Sequence, residues 1–331
     1  MKQATLRAAF VGTGWWGREL ARAAHALGDC ITVAGFCSLV ADDAAALCKE
    51  HGGVAYADYD AVLSDASVQA VVLATPHSLH VGQVVQAAAA GKHVFVEKPL
   101  ALSVADADHA VAACTRASRV LAVGHNRRFM PAARRMRELV GAGACGRIVH
   151  VEANYSGNMG LSLPAQHWRS QRAEMPGAGT APMGLHMIDT LQWILGPIVR
   201  LASIGKRQVA TQDLDDTSVT LFEFAGGATG TLASNLCSTL TADLRLYGTR
   251  AKLEARGNFA SLALDPAGES GGRWDFPQDD SVRDELRAFA EACAGRAAYP
   301  LPLADAVRNV AVMEAIERSA RAGSAWTVVA Q

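Results

Sequence analysis

The sequence predicts an α/β fold in which an N-terminal Rossmann domain with a doubly wound parallel sheet precedes a C-terminal α+β domain with a large, mostly antiparallel open sheet. Over the first 125 residues, short apolar runs alternate with alanine-rich helical segments, as βαβ units do. From about residue 146, strand-like runs follow one another with few helices between them. We place the boundary near residue 125, which gives a dinucleotide-binding domain over 1–125 and a substrate-binding and oligomerisation domain over 126–331.

The first domain is predicted from nine segments that alternate in type, with one further short element, YADYDAVLSD, between the second helix and the third strand. The predicted strands are RAAFVG, ITVAGFCS, AVVLAT, HVFVE and VLAVGHN. The predicted helices are GRELARAAHAL, DDAAALCKEHG, HVGQVVQAAAAGK and VADADHAVAACTRAS. Successive parallel strands need such crossover helices, so this order predicts a single parallel sheet.

The second domain begins with the helix PAARRMRELVGAG and then changes period. Its predicted strands are IVHVEANYS, VRLASIGKRQV, DTSVTLFEFAGG, ATGTLASNLC, DLRLYG, AKLEARG and FASLAL. Two helices, RDELRAFAEACAG and LADAVRNVAVMEAIERSARAG, follow, and the sequence leaves open whether the closing helix and AWTVV pack back across the boundary. Residues 157–182 are rich in Gly and Pro and match neither period, and a loop of that length is usually functional or disordered. Because it holds His167, Trp168 and Arg169 together, we predict a functional loop.

Composition excludes several classes of protein. The chain has 331 residues, and its formal net charge of -1 argues against a nucleic-acid binder, whose surface would be strongly basic. No apolar run approaches the roughly 18 residues of a membrane span. LRAAFVGTG reads as a strand and its turn rather than a cleavable leader. The seven cysteines are scattered without a C-x-x-C pair, so we predict no metal site and reduced thiols in a cytoplasmic protein.

A glycine-rich turn follows the first predicted strand. Gly12, Gly14 and Gly17 have the G-x-G-x-x-G spacing, and the turn opens the first predicted helix. In this context the glycines allow a tight turn, close approach of a pyrophosphate, and packing of helix on strand. One ring of the Trp pair either packs under the domain interface or walls a pocket. We therefore predict that the cofactor is bound by Gly12, Thr13, Gly14, Trp15, Trp16 and Gly17.

The end of the second predicted strand bears on the choice between NAD and NADP. NAD-binding proteins usually carry an acidic residue there, which holds the ribose diol. Ser38 occupies that position and Leu39 follows it, so both the carboxylate and an arginine for a 2′-phosphate are missing. Asp42 or Asp43 could substitute, although both suit the start of the next helix. We predict NAD or NADP as the cofactor, with NADP favoured, and include Ser38 among the residues that bind it.

The stretch VFVEKPL brings charge to the end of a strand that is apolar on both faces. Val94–Val96 lead directly into Glu97 and Lys98, and Pro99 ends the strand. Because desolvating a carboxylate and an ammonium is costly, a sequence selected for folding alone would rarely place them there. The pattern predicts a functional pair at the carboxyl end of this strand.

Three stretches together resemble one family of nicotinamide-dependent oxidoreductases. They are the turn at 12–17, ATPHSLHVGQVVQAAAAGKHVFVEKPLAL at 74–102 and GHNRRFMP at 124–131. The sequence is similar to the glucose-fructose oxidoreductase, inositol dehydrogenase and rhizopine-catabolism (Gfo/Idh/MocA) family. The closing EAIERSARAG also resembles that family, so the likeness spans nearly the whole chain.

The resemblance implies roles for the residues of the first domain. Lys98 would hydrogen-bond the substrate oxygen and support proton transfer, since a partly desolvated lysine can have its pKa lowered towards neutrality. Glu97 would line the cofactor side, and Pro99 would fix the turn, with a cis bond as one way to do so. The residues that match the loop beside the adenosine and nicotinamide halves are Thr75, Pro76 and His80.

Further site residues are implied near the start of the second domain. Arg127 occupies the place where members resembling inositol dehydrogenase contact substrate, and Asn126 lies beside it, so we assign both to substrate binding, although NRRF also fits a solvated helix entry. Trp168 and Arg169 resemble a pair near the nicotinamide carboxamide, and we assign the adjacent His167 to substrate binding.

The acid–base stretch departs from the family pattern D-x-x-x-H-x-x-D. His186 and Asp189 are in place and are predicted to contact substrate, but Pro182 stands where the family has an aspartate. Either Lys98 and His186 suffice for catalysis, with the histidine as the acid–base group, or the protein binds cofactor and ligand without turnover.

The resemblance implies an NAD(P)-dependent dehydrogenase or reductase that transfers a hydride between nicotinamide and a secondary alcohol or ketone of a sugar, polyol or related cyclic substrate. The alternatives are a non-catalytic, cofactor-dependent sensor and an NAD-dependent glycosidase. The predicted partner is a small-molecule substrate, with neither nucleic acid nor membrane. An uncovered sheet face predicts a homodimer or homotetramer formed through the C-terminal sheet.

Overall fold

The computed structural model describes residues 5–268, 271–277 and 280–330. Within them the strands are Leu6–Val11 (β1), Ile31–Cys37 (β2), Val54–Tyr56 (β3), Ala70–Leu73 (β4), His93–Glu97 (β5), Leu121–Gly124 (β6), Ile148–Ser156 (β7), Ile198–Lys206 (β8), Thr217–Phe224 (β9), Thr229–Asn235 (β10), Thr241–Gly248 (β11), Ala251–Arg256 (β12), Ser261–Pro266 (β13), Gly272–Asp275 (β14) and Thr327–Val328 (β15). The α-helices are Trp15–His25 (α1), Ala41–His51 (α2), Tyr59–Ser64 (α3), His80–Ala89 (α4), Val104–Arg116 (α5), Pro131–Gly141 (α6), Gly184–Leu195 (α7), Ser281–Cys293 (α8) and Leu303–Arg321 (α9).

The chain divides into two compact units. The first comprises the chain up to Phe129 together with Asp280–Val307, and the second comprises the rest. Helix α8 thus belongs to the first unit although it follows the strands of the second sheet along the chain. Strand β15 belongs to the second unit and pairs antiparallel with β8, which answers the question that the sequence left open about the closing strand. The assignment of 126–331 to substrate binding and oligomerisation remains a prediction.

The first unit is built on a parallel sheet. Among the described residues its strand order is β3-β2-β1-β4-β5-β6. Strands β2 and β3 therefore extend the sheet on one side of β1, and strands β4 to β6 extend it on the other side. Strands β1, β2, β4, β5 and β6 are largely buried, with Phe10, Phe36 and Phe95 fully enclosed, whereas the edge strand β3 is mostly exposed. Phe289 of α8 packs against Phe95 with ring centroids 5.7 Å apart, which explains why this late helix completes the first core. The predicted doubly wound parallel sheet is confirmed.

Parallel topology brings the carboxyl ends of these strands to one edge of the sheet. The glycine turn follows β1, Ser38 follows β2, and the Thr75 loop follows β4. Lys98 follows β5 in the same way, and Asn126 lies just beyond β6. Ligands of open α/β sheets bind at this edge, so the predicted site residues of the first unit share one location for a topological reason.

The second unit is built on a largely antiparallel sheet. Within the described ranges the strand order is β14-β13-β12-β11-β7-β10-β9-β8-β15, and the pair β7–β10 is parallel. Side chains alternate along the central strands: Val151 and Leu244 are buried, whereas Glu152 and Arg245 of the same strands point to the other face and are partly exposed. Helix α7 packs on β7 and β10, which covers one face of the sheet. The predicted open antiparallel sheet is confirmed.

Among the described residues, no helix combines the length and the apolar character that crossing a membrane requires.

Candidate active site

The glycine turn has the geometry that a dinucleotide needs. Gly12 has φ +94°, and a Cβ there would lie 2.5 Å from the carbonyl oxygen of Ala74. A Cβ on Gly17 would lie 2.0 Å from the carbonyl oxygen of Gly12, so α1 can approach the strand only at a glycine. Gly14 caps α1 without a side-chain hydrogen bond, and a Cβ there would meet nothing within 4 Å. Open space before an uncapped helix start fits a pyrophosphate, whose charge the helix N–H groups favour.

The two tryptophans of the turn have different environments. Trp15 is 79 % exposed, whereas Trp16 is half-buried and donates its indole N–H to Glu97 Oε1 at 2.5 Å. Their ring centroids lie 5.2 Å apart. Trp16 therefore joins the glycine turn to the end of β5, and Trp15 presents an apolar ring beside the turn.

Ser38 is also tied to the glycine turn. Its hydroxyl lies 2.6 Å from that of Thr13 and accepts a hydrogen bond from the backbone N–H of Val40 at 3.2 Å. Thr13 is buried, so this contact fixes the end of β2 against the turn. The position where NAD-binding proteins carry a carboxylate is thus occupied by a hydroxyl with defined partners.

The loop after β4 is held by a buried histidine. Pro76 precedes a single 3₁₀ turn, His77–Leu79, and α4 starts at His80. His80 is fully buried, with Nδ1 2.8 Å from the carbonyl oxygen of Pro99 and Nε2 3.1 Å from that of Thr75. The Thr75 hydroxyl donates to Gln83 Oε1 at 2.6 Å. His80 therefore joins this loop to the turn after β5, and its contact with the cofactor remains a prediction.

The charged pair at the end of β5 is held in place. Glu97 is buried opposite Gly124 of β6, where a Cβ would come within 2.6 Å of its carboxylate. The backbone N–H of Lys98 donates to Glu97 Oε2 at 3.2 Å. The Lys98–Pro99 peptide bond is cis, as proposed from the sequence. Lys98 itself is half-buried at the carboxyl edge of the sheet.

The segment after β6 is buried. Asn126–Phe129 form a 3₁₀ turn, and all four side chains are buried, so the alternative of a solvated helix entry is wrong. The amide of Asn126 donates to Ser281 Oγ at 3.3 Å, and Arg128 forms an ion pair with Asp305 at 3.1 Å. The segment 280–307 thus supports these side chains. Their contact with substrate remains a prediction.

In the second unit, the irregular segment predicted over 157–182 contains only short 3₁₀ turns within the described residues. His167, Trp168 and Arg169 stack there: the imidazole lies 5.8 Å from the indole, and the guanidinium carbon lies 3.9 Å from the indole centroid. His167 Nδ1 accepts the backbone N–H of Arg169 at 3.1 Å, so a neutral ring carries its proton on Nε2. Burial, and then the charge of Arg169, lower the pKa of His167. The three residues form one preorganised cluster.

His186 lies in the first turn of α7 beside an aromatic ring that the sequence analysis missed. It is buried, and its ring centroid lies 5.8 Å from that of Tyr155 at the end of β7. Met183 precedes α7 and belongs to a small apolar cluster that Tyr155 contacts. Pro182 precedes Met183, and the chain turns from the irregular segment into the helix there. The position of Tyr155 near the end of a predicted strand is the sequence signal that could have identified it as a site residue.

Asp189, predicted to contact substrate, is fully buried one turn further along α7. Its Oδ1 accepts a hydrogen bond from the amide of Asn309 at 2.7 Å. Asn309 in turn accepts one from Gln192 at 2.8 Å. These bonds join α7 to α9, and a direct contact of Asp189 with substrate remains a prediction. Within the part of the chain that the structure describes, no cluster of three or more His, Cys, Asp or Glu residues could hold a metal ion.

Two family models match the chain. One, described as an oxidoreductase family with an NAD-binding Rossmann fold, covers residues 6–125, and the other, the Gfo/Idh/MocA C-terminal domain, covers residues 133–254. The chain belongs to the Gfo/Idh/MocA oxidoreductase family. The predicted family and its NAD-binding Rossmann fold are confirmed.

Individual Gfo/Idh/MocA relatives are distant. D-xylose 1-dehydrogenase (NADP(+)) 2 of Haloferax volcanii is 30% identical over 299 residues, which cover 85% of this chain and 87% of that protein. 1,5-Anhydro-D-fructose reductase of Ensifer adhaerens is 34% identical over 161 residues, 48% of this chain and 47% of that protein. Two other curated relatives are matched over 58% and 54% of their length, so the chain spans about half of several of them. A solved structure of a putative NADPH-dependent oxidoreductase of Desulfitobacterium hafniense superposes with a TM-score of 0.91 at 25% identity, covering 98% of both chains.

Proposed function

We propose that this protein is an NAD(P)-dependent dehydrogenase or reductase acting on a secondary alcohol or ketone of a sugar, polyol or related cyclic molecule. The observation that carries the proposal is the link between the glycine turn and the end of β5. Trp16 of the turn donates to Glu97, and Lys98 is the next residue, so a cofactor on the turn would lie beside a lysine. Relatives named as xylose dehydrogenase and anhydrofructose reductase support a sugar-like substrate.

In this proposal the residues divide into cofactor and substrate contacts. The bound nicotinamide supplies the hydride acceptor or donor. The cofactor contacts are Gly12, Thr13, Gly14, Trp15, Trp16, Gly17, Ser38, Thr75, Pro76, His80, Glu97, Lys98, Trp168 and Arg169. The substrate contacts are Lys98, Asn126, Arg127, His167, His186 and Asp189.

Lys98 and His186 are the proposed catalytic residues. In the direction of reduction, the Lys98 ammonium donates a hydrogen bond and then its proton to the carbonyl oxygen; in the direction of oxidation, the neutral amine accepts the hydroxyl proton. Glu97 holds the backbone N–H of Lys98 and thereby fixes the position of the lysine at the strand end. The imidazole of His186, oriented by the ring of Tyr155, is the proposed second proton-transfer group.

A hydride-transfer assay with a panel of sugars, polyols and cyclic ketones tests the proposal. We expect Lys98→Ala to lower kcat/KM at least about 100-fold while cofactor binding persists, because general acid–base groups contribute factors of that size. Lys49→Ala, an exposed lysine on α2, is the matched control and leaves turnover unchanged. Unchanged turnover in Lys98→Ala would remove the lysine from the mechanism.

A sensor that binds cofactor without turnover is the second candidate. Pro182 favours it, because a proline side chain can neither exchange a proton nor accept a hydrogen bond at the place of the family's aspartate. Binding of NAD(P)H without turnover on any substrate of the panel, together with co-purification of a protein partner, would support the sensor over the enzyme.

We further propose a homodimer or homotetramer that forms through the C-terminal sheet. Ile204 of β8 lies opposite Val219 of β9, Leu221 follows on the same face, and all three side chains are about half exposed. Such adjacent apolar side chains on a sheet face favour burial against another copy. Light scattering tests this: we expect an oligomeric mass at micromolar protein and a shift towards monomer in Leu221→Lys. A monomeric mass for the unmodified chain would overturn the proposal.

We also propose a cytoplasmic location, which the seven free thiols support because a reducing compartment keeps them reduced. Cell fractionation would locate the protein, and a thiol-labelling reagent would show whether its cysteines are reduced. Recovery of the protein outside the cytoplasm would contradict the proposed location.

A further inference from the structure

An ion pair lies beside the position that distinguishes NAD from NADP. Arg18 Nη2 and Asp43 Oδ1 are 2.9 Å apart, and both side chains are partly exposed. Arg18 follows the last glycine of the turn in the first part of α1, and Asp43 is in the first turn of α2. The pair therefore joins the starts of the two helices that follow β1 and β2.

Ser38 lies between these two helix starts along the chain and is fixed against the glycine turn by Thr13. When a pyrophosphate sits on such a turn, the adenosine ribose reaches the end of the second strand, where its 2′ position is recognised. A group at the 2′ position would thus approach Ser38 and the ion pair beside it.

The local charges offer both kinds of recognition. The stretches 12–18 and 37–44 contain one basic residue, Arg18, and two acidic residues, Asp42 and Asp43. A 2′-phosphate carries about two negative charges and is bound best by a guanidinium, which can donate two parallel hydrogen bonds. A ribose 2′-hydroxyl is bound best by a carboxylate. Arg18 supplies the guanidinium and Asp43 supplies the carboxylate, and the two side chains are in contact with each other.

The exposed apolar residues next to Ser38 support this location for the adenosine. Leu39 is fully exposed and Val40 is about half exposed, although both are large apolar side chains. An adenine ring stacked on them would remove that surface from water, which favours binding.

We propose that Arg18 binds the 2′-phosphate of NADPH and that Asp43 limits this preference by competing for the guanidinium. The inference rests on the proposed function. An exposed ion pair contributes little to stability, so a phosphate can displace the carboxylate at small cost. With NADH bound, the pair stays closed and Asp43 faces the free diol. The chain accepts both cofactors, and the balance between them is set by these two side chains.

Fluorescence titration with NADPH and NADH tests the inference without any turnover, because Trp15 and Trp16 report binding at the turn. We expect Arg18→Ala to raise Kd for NADPH about tenfold or more and to change Kd for NADH less than about twofold, as expected when hydrogen bonds to one charged group are lost. Asp43→Asn should lower Kd for NADPH several-fold. Competition by 2′,5′-ADP should weaken in Arg18→Ala, whereas competition by 5′-ADP should not.

Arg22→Ala is the matched control, because Arg22 lies one turn further along α1 and pairs with Glu19 and Asp280 instead. It should leave the NADPH to NADH ratio of Kd unchanged. An equal effect of Arg18→Ala on both cofactors, no effect on either, or binding of NADH alone by the unmodified chain would overturn the inference. Failure of the unmodified chain to bind either cofactor is a different outcome, and it would overturn the proposed function as well.

Discussion

The indole of Trp16 and the carboxylate of Glu97 form a 2.5 Å hydrogen bond between the first turn of α1 and the end of β5. The bond connects two sequence motifs, the glycine turn and E-K-P, that lie 81 residues apart. Burying a carboxylate is costly unless donors surround it, and Trp16 supplies one such donor. The contact explains why an aromatic residue with an N–H group stands inside a phosphate-binding turn.

We expect Trp16→Phe to lower the free energy of unfolding by about 1–3 kcal/mol, because the substitution keeps an aromatic ring but removes a donor from a buried carboxylate. Trp15→Phe is the matched control, since Trp15 is largely exposed and its neighbour carries the hydrogen bond. Urea unfolding of both variants measures the difference. Equal stability of the two variants would show that the Trp16–Glu97 bond contributes nothing.

The glycine turn allows a second comparison within one motif. We expect Gly14→Ala to fold normally, since a Cβ there meets nothing within 4 Å, but to weaken dinucleotide binding because the methyl group enters the space of the pyrophosphate. Gly17→Ala should instead destabilise the fold, because its Cβ would overlap the carbonyl oxygen of Gly12. Thermal unfolding and cofactor titration separate the effects. Unchanged cofactor affinity in Gly14→Ala would contradict the assignment of the turn.

The sequence predicted the first sheet well because strand patterns, crossover helices and glycine spacing are local signals. It could not place α8 in the first unit, since the ring contact of Phe289 with Phe95 joins residues that are distant along the chain. The short strands β3 and β14 were also missed, because three or four residues carry too little periodicity to predict a strand.

Site residues show the same limit. Lys98 and the glycines were found because motifs carry them, whereas Tyr155, Ser281 and Asn309 depend on tertiary contacts. The ion pair of Arg18 with Asp43 could not be predicted for the same reason. Each residue is ordinary in its own helix, and only the fold brings the guanidinium to the carboxylate.

Asp189 allows a test of direct substrate contact against helix packing. Asp189→Asn keeps an oxygen that can accept the hydrogen bond from Asn309, so we expect the free energy of unfolding to change by less than about 1 kcal/mol. If the residue acts only in packing α7 on α9, kcat/KM should stay within about threefold, a change below 1 kcal/mol in transition-state stabilisation. A loss of activity without a loss of stability would instead support the predicted substrate contact.

Asp216 is expected to make stability depend on pH. Burial opposes ionisation of this carboxyl group, but the backbone N–H groups of Ala210, Val209 and Gln208 and the hydroxyl of Thr217 outweigh it and hold its pKa below the ordinary value. The unfolded chain, with a carboxyl pKa of about 3.9, therefore binds the proton more readily than the folded chain. The stabilisation is complete above that pH and is lost as the pH falls through the folded pKa.

We expect Asp216→Asn to lower the free energy of unfolding by about 1–3 kcal/mol at neutral pH, because an amide oxygen accepts these hydrogen bonds less strongly than a carboxylate. Asp213→Asn is the matched control, since that side chain is 84% exposed in the same loop and should change stability by less than about 0.5 kcal/mol. Urea unfolding from pH 7 down to pH 3 should show the Asp216→Asn difference shrinking below about pH 4, because the carboxyl group of the unfolded chain takes up a proton there more readily than that of the folded chain. A difference that stays constant across this range would show that the charge of Asp216 does not stabilise the loop.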